Sequence, residues 1–135
     1  MKIFTIVLRV ILGLLLFSPI LGALGLFPPP TPELYNTTEA FAFIDILMNT
    51  GYLTQLIAIV FAIAIFLVIT NRTALAALLI LPITINIICF HAFLDGGLFT
   101  KGAIMANVLV LLNAYFLWHN RAQYRHLWNK SVSHS

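Results

Sequence analysis

The sequence predicts an all-α protein, a four-helix transmembrane bundle with a short amphipathic outer helix between spans one and two. Three observations carry this expectation. Of 135 residues, 61% are hydrophobic and 8% charged, with a mean hydropathy of +1.04, against roughly 45–50% apolar and 25% charged in a globular domain. The charged residues leave four uncharged gaps, from Arg9 to Glu33, Asp45 to Arg72, Arg72 to Asp95 and Lys101 to Arg121. Each gap holds one span of about 20 residues, which leaves a single membrane domain and no room for a soluble one in this stretch. Third, the charges separate by sign. Lys2, Arg9, Arg72, Arg121, Arg125 and Lys130 alternate with Glu33, Glu39, Asp45 and Asp95 across successive spans, and Lys101 is the one exception.

Span one is expected at about 6–27, bounded by Phe27-Pro28-Pro29-Pro30-Thr31-Pro32, where prolines withhold amide donors and favour extended backbone. A cleaved secretory signal is the rival reading, with small residues near Leu21 to Gly25. The apolar run exceeds the usual signal length, and cleavage would put the basic tail outside, so an uncleaved first helix is expected. Asn36 followed by Glu39 forms a capping-box pattern, and Phe41, Ile44, Leu47 and Met48 recur at helical spacing. A helix over about 37–49, lying on the outer membrane surface and ending before Gly51, follows. Spans two to four are expected at about 52–70, 74–94 and 102–120, with tight turns at Asn71-Arg72-Thr73 and Asp95-Gly96-Gly97. The tail beyond Trp118 mixes cations with aromatics suited to a headgroup layer, and Ser131 to Ser135 are expected to fray. The positive-inside rule then puts both termini in the cytoplasm.

Within these spans the polar residues are the candidates for chemistry. His91 and Asp95 are four apart on one helical face, a spacing at which a carboxylate orients an imidazole; Asp95 starting a turn and His91 bonding a neighbouring helix is the competing structural reading. Asn86, Asn107 and Asn113 read first as interhelical glue. Thr70 and Thr84 read as hydroxyls bonded back to their own helices. Arg9 reads as a snorkelling side chain, with a quinone or an anionic group as the alternative partner. Cys89, the single cysteine, reads as a small buried hydrophobe, and His119 as interfacial. Pro82 is expected to kink span three and free a carbonyl.

The ligand-binding candidates are therefore Asn86, His91, Asp95 and Arg9. No catalytic constellation, phosphate loop or metal-ligand spacing is present, His91 and His119 lie near opposite membrane faces and so do not share a haem, and scattered cations form no face for nucleic acid. No cofactor is required by any motif; a quinone is the class that the His91/Asp95 pair would accept.

The basic start before Ile11-Leu12-Gly13-Leu14-Leu15-Leu16-Phe17, the proline-rich outer loop, Thr50-Gly51-Tyr52-Leu53 and above all Asn86-Ile87-Ile88-Cys89-Phe90-His91-Ala92-Phe93-Leu94-Asp95 resemble the DoxX-like family of small four-helix bacterial membrane proteins. The resemblance spans nearly the whole chain. It implies a bacterial plasma-membrane bundle linked to membrane redox complexes, in a family named for a subunit of a thiosulfate:quinone oxidoreductase. Where the family usually carries a Lys and a Glu in span two, Ala58-Ile59-Val60-Phe61 is apolar, so Asn86, His91 and Asp95 are the positions carried over. The leading expectation is a non-catalytic accessory subunit beside a redox-linked membrane complex, partnered by the lipid bilayer and by another membrane protein or further copies of itself. A quinone- or lipophile-binding component using His91 and Asp95 is the second reading, and a small transporter the third.

Overall fold

The computed structural model describes residues 2–130, so the expected fraying of 131–135 lies outside the described residues. Four helices are long and apolar enough to cross a membrane. We label the helices α1 (Lys2–Ala23), α2 (Thr38–Thr50), α3 (Tyr52–Ile69), α4 (Thr73–Phe93), α5 (Ile104–His119) and α6 (Arg121–Tyr124). A 3-10 turn over Lys101–Ala103 leads into α5. The spans run up and down, with α1 against α3, α3 against α4 and α4 against α5, while α5 closes back on α1 more sparsely. The chain thus forms a membrane four-helix bundle, with α2 as the extra helix between spans one and two.

The shared core is a column of side chains from all four spans. It includes Leu12 and Leu16 of α1, Phe61 and Ala64 of α3, Ala76, Ala77 and Ile80 of α4, and Leu112 and Phe116 of α5. The alanines let α4 approach its neighbours closely, the means by which helices associate when lipid is as apolar as their own side chains. Large apolar residues such as Ile59, Phe66, Ile69 and Leu111 point outward instead, as a lipid-facing surface requires.

The structure moves several expected boundaries. α1 ends at Ala23, four residues before the expected limit of 27. Gly25 at φ +75° accepts the left-handed geometry of a helix stop, with Leu26 N bonded to Leu21 O at 3.0 Å and Gly25 N to Gly22 O at 3.0 Å. Apolar residues continue past that stop, so composition alone overshoots it. The capping box is displaced by one residue: Thr37, not Asn36, caps α2, its hydroxyl accepting from Ala40 N at 3.0 Å. α2 stops at Gly51, φ +74°, which also begins α3, so one residue joins the two helices.

The polar residues within the spans divide by face. Thr70 and Thr84 bond back to Phe66 O at 2.8 Å and Ile80 O at 3.0 Å. Asn113 bridges α5 to Ala77 O of α4 at 2.9 Å, and Asn107 holds Leu98 O at 2.8 Å. Asn86 makes no such bridge. It is exposed on α4, and so is Cys89, which corrects the expectation of a buried thiol: the apolar surroundings of Cys89 are the lipid side of the helix, not a packed core. α4 runs unbroken through Pro82.

Candidate functional site

The end of the bundle away from the termini carries all four acidic residues, and there the chain between α1 and α2 is tied across the top of α4. Asp95 makes this tie. It follows the C-terminal turn of α4, where the helix dipole opposes a negative charge, yet it is 1% exposed. Hydrogen-bond donors compensate it. The backbone N–H of Asn36 donates to Asp95 Oδ1 at 2.8 Å, and His91 Nδ1 stands 3.1 Å from Asp95 Oδ2. Asn36 Nδ2 also donates to the Asp95 carbonyl at 3.1 Å, and the Thr37 hydroxyl donates to the Leu94 carbonyl. The Tyr35–Thr37 segment is therefore a strap pinned to the end of α4.

Gly96 makes the close approach possible. Its φ is +83°, and a Cβ built there would lie 3.1 Å from the Asn36 Cβ. A larger residue would strain the turn and press on the strap.

Beneath the strap lies a cavity of about 510 Å³. Its walls come from the outer end of α1 (Pro19, Gly22), the start of α3 (Thr54, Ile57) and the outer half of α4 (Asn86, Phe90, His91). The apolar face of α2, with Ile44, Leu47 and Met48, roofs it. The helix expected to lie on the membrane surface thus turns that face onto a cavity. Tyr35 stands edge-on to Phe90, with ring centroids 6.3 Å apart, and Phe43 lies 5.8 Å from the same ring. Burial, with the Asp95 carboxylate adding to it, pushes the Tyr35 phenol up from its ordinary 10.0, so the phenol stays a donor.

The cavity continues sideways into a groove between α3 and α4. The groove, about 350 Å³, shares Ile57 and Asn86 with the cavity and is otherwise apolar, with Leu56, Val60, Pro82 and Ile83 along it. Asn86 stands where the two spaces meet.

Three of the four candidates from the sequence, Asn86, His91 and Asp95, thus meet around one space. Arg9 does not join them. It lies at the opposite end, where its guanidinium donates to Asn71 Oδ1 of the α3–α4 turn at 2.5 Å. Tyr35 was not singled out by sequence, and Gly96 was read only as part of a tight turn. Only the Asn36/Glu39 capping pattern drew attention to the strap, and it pointed to a different bond.

No family model, no curated protein and no solved structure matches this chain.

With Asp95 as a carboxylate, its oxygens only accept, and the bond then runs from His91 Nδ1–H. Neutral His91 then presents Nε2 as an acceptor. The pair is therefore arranged to receive a hydroxyl, and it donates to a carbonyl only as imidazolium. Among the described residues no three His, Cys, Asp or Glu side chains converge as metal ligands.

Proposed function

We propose that this chain is a non-catalytic binding subunit of the DoxX-like type in a bacterial plasma membrane, holding a lipophilic hydroxyl compound of the quinol class. The observation that carries the reading is the apolar cavity with Asp95-held His91 in its wall and an apolar groove leading from it toward the lipid. Its volume of about 510 Å³ lies in the usual range for small-molecule sites, and a few placed polar groups among apolar walls are their usual composition. A ring hydroxyl donates to His91 Nε2, the Asn86 amide takes a second polar atom, and an apolar tail follows the α3–α4 groove into the bilayer. A protein with this property serves a larger redox-linked complex by keeping its lipophilic reactant at hand.

The test is calorimetric titration of the full chain in mild detergent with a decyl-substituted benzoquinol and, separately, its quinone. Wild type is expected to favour the quinol, and His91→Ala to bind it about tenfold more weakly, the loss of one good hydrogen bond in an apolar site. Asp95→Asn is expected to reverse the preference, because the amide donates to Nδ1 and moves the ring proton to Nε2. Equal quinol affinity in wild type and His91→Ala would sink the proposal.

Charge segregation supports placing the termini on the cytoplasmic side, since Lys2, Arg9, Arg72, Arg121 and Arg125 share one end. Reporter fusions at Asn71 and after Ser135 are expected to read as cytoplasmic and one at Gly96 as external. An external signal from either of the first two would overturn the orientation.

A further inference from the structure

The basic end of the bundle holds a second space, unrelated to the strap and its cavity. It is a recess of about 420 Å³ between the start of α1, the α3–α4 turn and the end of α5, lined by Lys2, Thr5, Ile6, Arg9, Asn71 and His119. Arg9 forms its inner part. Seven residues separate Arg9 from Lys2, about 10 Å along a helix, and the turns between them already present Ile3, Phe4, Ile6 and Val7 outward as apolar surface. The Arg9 backbone therefore lies below the level at which the helix becomes apolar, and its side chain reaches back to Asn71 in the α3–α4 turn.

Among the described residues no carboxylate pairs with its charge. Asn71 Oδ1, a neutral acceptor, is its hydrogen-bond partner, while Arg9 Nε is buried and unpaired. Every Asp and Glu of the sequence, Glu33, Glu39, Asp45 and Asp95, belongs to the opposite end. A half-buried cation whose buried Nε lacks a partner is costly in such surroundings unless an anion completes it. Two further donors stand at the rim: the exposed Lys2 ammonium and His119, which stacks on Tyr115 at 5.5 Å with rings 14° from parallel. Tyr115 in turn meets Phe4 edge-on at 6.0 Å, closing the wall between α5 and α1.

We infer that this recess binds a phosphate oxyanion. Arg9 holds one face of the anion from within, and Lys2 and His119 hold it from the rim. A planar guanidinium with several donors suits phosphate oxygens better than any other cationic side chain, and headgroup phosphates lie at this depth. An anionic phospholipid headgroup and a soluble phosphate share this chemistry.

Native mass spectrometry of the full chain in detergent tests it, with phosphatidylglycerol and phosphatidylcholine of identical acyl chains added in equal amounts. Wild type is expected to retain phosphatidylglycerol about tenfold over phosphatidylcholine, as a charge-assisted contact warrants. Arg9→Gln and the rim pair Lys2→Gln/His119→Gln are expected to lose that preference, whereas Arg125→Gln/Lys130→Gln, which removes two cations of the same end outside the recess, keeps it. If Arg9→Gln loses its helical circular dichroism, the exposed rim pair decides. Added inorganic phosphate separates the sources: a preference that survives it assigns a lipid headgroup, and a phosphate adduct that displaces the lipid assigns a soluble phosphate. Equal loss in the recess and control variants would reduce the effect to surface charge and overturn the site. So would a preference unchanged in every variant, or wild type showing neither the preference nor a phosphate adduct.

Discussion

Asp95→Ala is expected to destabilise the bundle by about 3–4 kcal/mol, because one truncation strands several groups. The Asn36 amide and the imidazole of His91 both lose the carboxylate that accepts from or faces them. Hydrogen bonds to a charged group contribute about 1.5–3 kcal/mol each, and an unsatisfied buried donor costs about 1–3 kcal/mol. Asp95→Asn keeps the shape and an acceptor for the Asn36 N–H, so it is expected to recover more than half of the loss. Steric-trap or denaturant unfolding in detergent measures both. An Asp95→Ala chain within about 0.5 kcal/mol of wild type would show that the strap adds nothing to the fold. Because Asp95→Asn retains the strap but moves the ring proton, the pair also separates the structural role of this carboxylate from its role in aiming His91.

Gly96→Val is expected to cost about 2–3 kcal/mol and to open the cavity, for a reason opposite to that of Asp95→Ala. There a bond is removed; here atoms are forced into the space that the bond needs. A β-branched residue at φ +83° meets the steric penalty of the left-handed region. Its Cβ would also start 3.1 Å from the Asn36 Cβ, so the strap must shift even if the turn survives. Gly96→Ala meets the same backbone penalty with fewer atoms and is expected to show about half the effect. Hydrogen exchange at the Asn36 amide reports the movement directly, rising in both variants and more in Gly96→Val. Wild-type protection in Gly96→Val would mean that the strap is held by something other than its fit against this glycine.

Four uncharged gaps were enough to read four spans from the sequence, because a bilayer makes the absence of charge a measure of length. Helix ends were less legible. α1 stops at a left-handed glycine while Leu24, Leu26 and Phe27 continue the apolar composition, so hydropathy and backbone geometry part company there. The faces of the spans were harder still. Asn86 and Asn113 are the same residue in similar company, yet one lines a cavity open toward lipid and the other is buried against Ala77. In α4 apolar side chains occur on every side, and no stripe tells the core from the lipid. Cys89 was misplaced for the same reason. His91 and Asp95 were legible as a pair because helical spacing alone brings them together, whereas Asn36 reaches Asp95 across 59 positions of sequence, a meeting that no local pattern announces.

The two fastenings of the bundle also differ in when they become possible during synthesis. The bond from Arg9 to Asn71 needs only the first two spans and the turn after them, so it can form while the third span is still being made. The strap must wait for Asp95, which follows that third span. Spans that insert singly and pair afterwards are thus latched from the terminal end toward the far end, and the cavity acquires its roof as one of the later events. A chain halted before Asp95 has its floor and walls begun, and nothing to hold the lid.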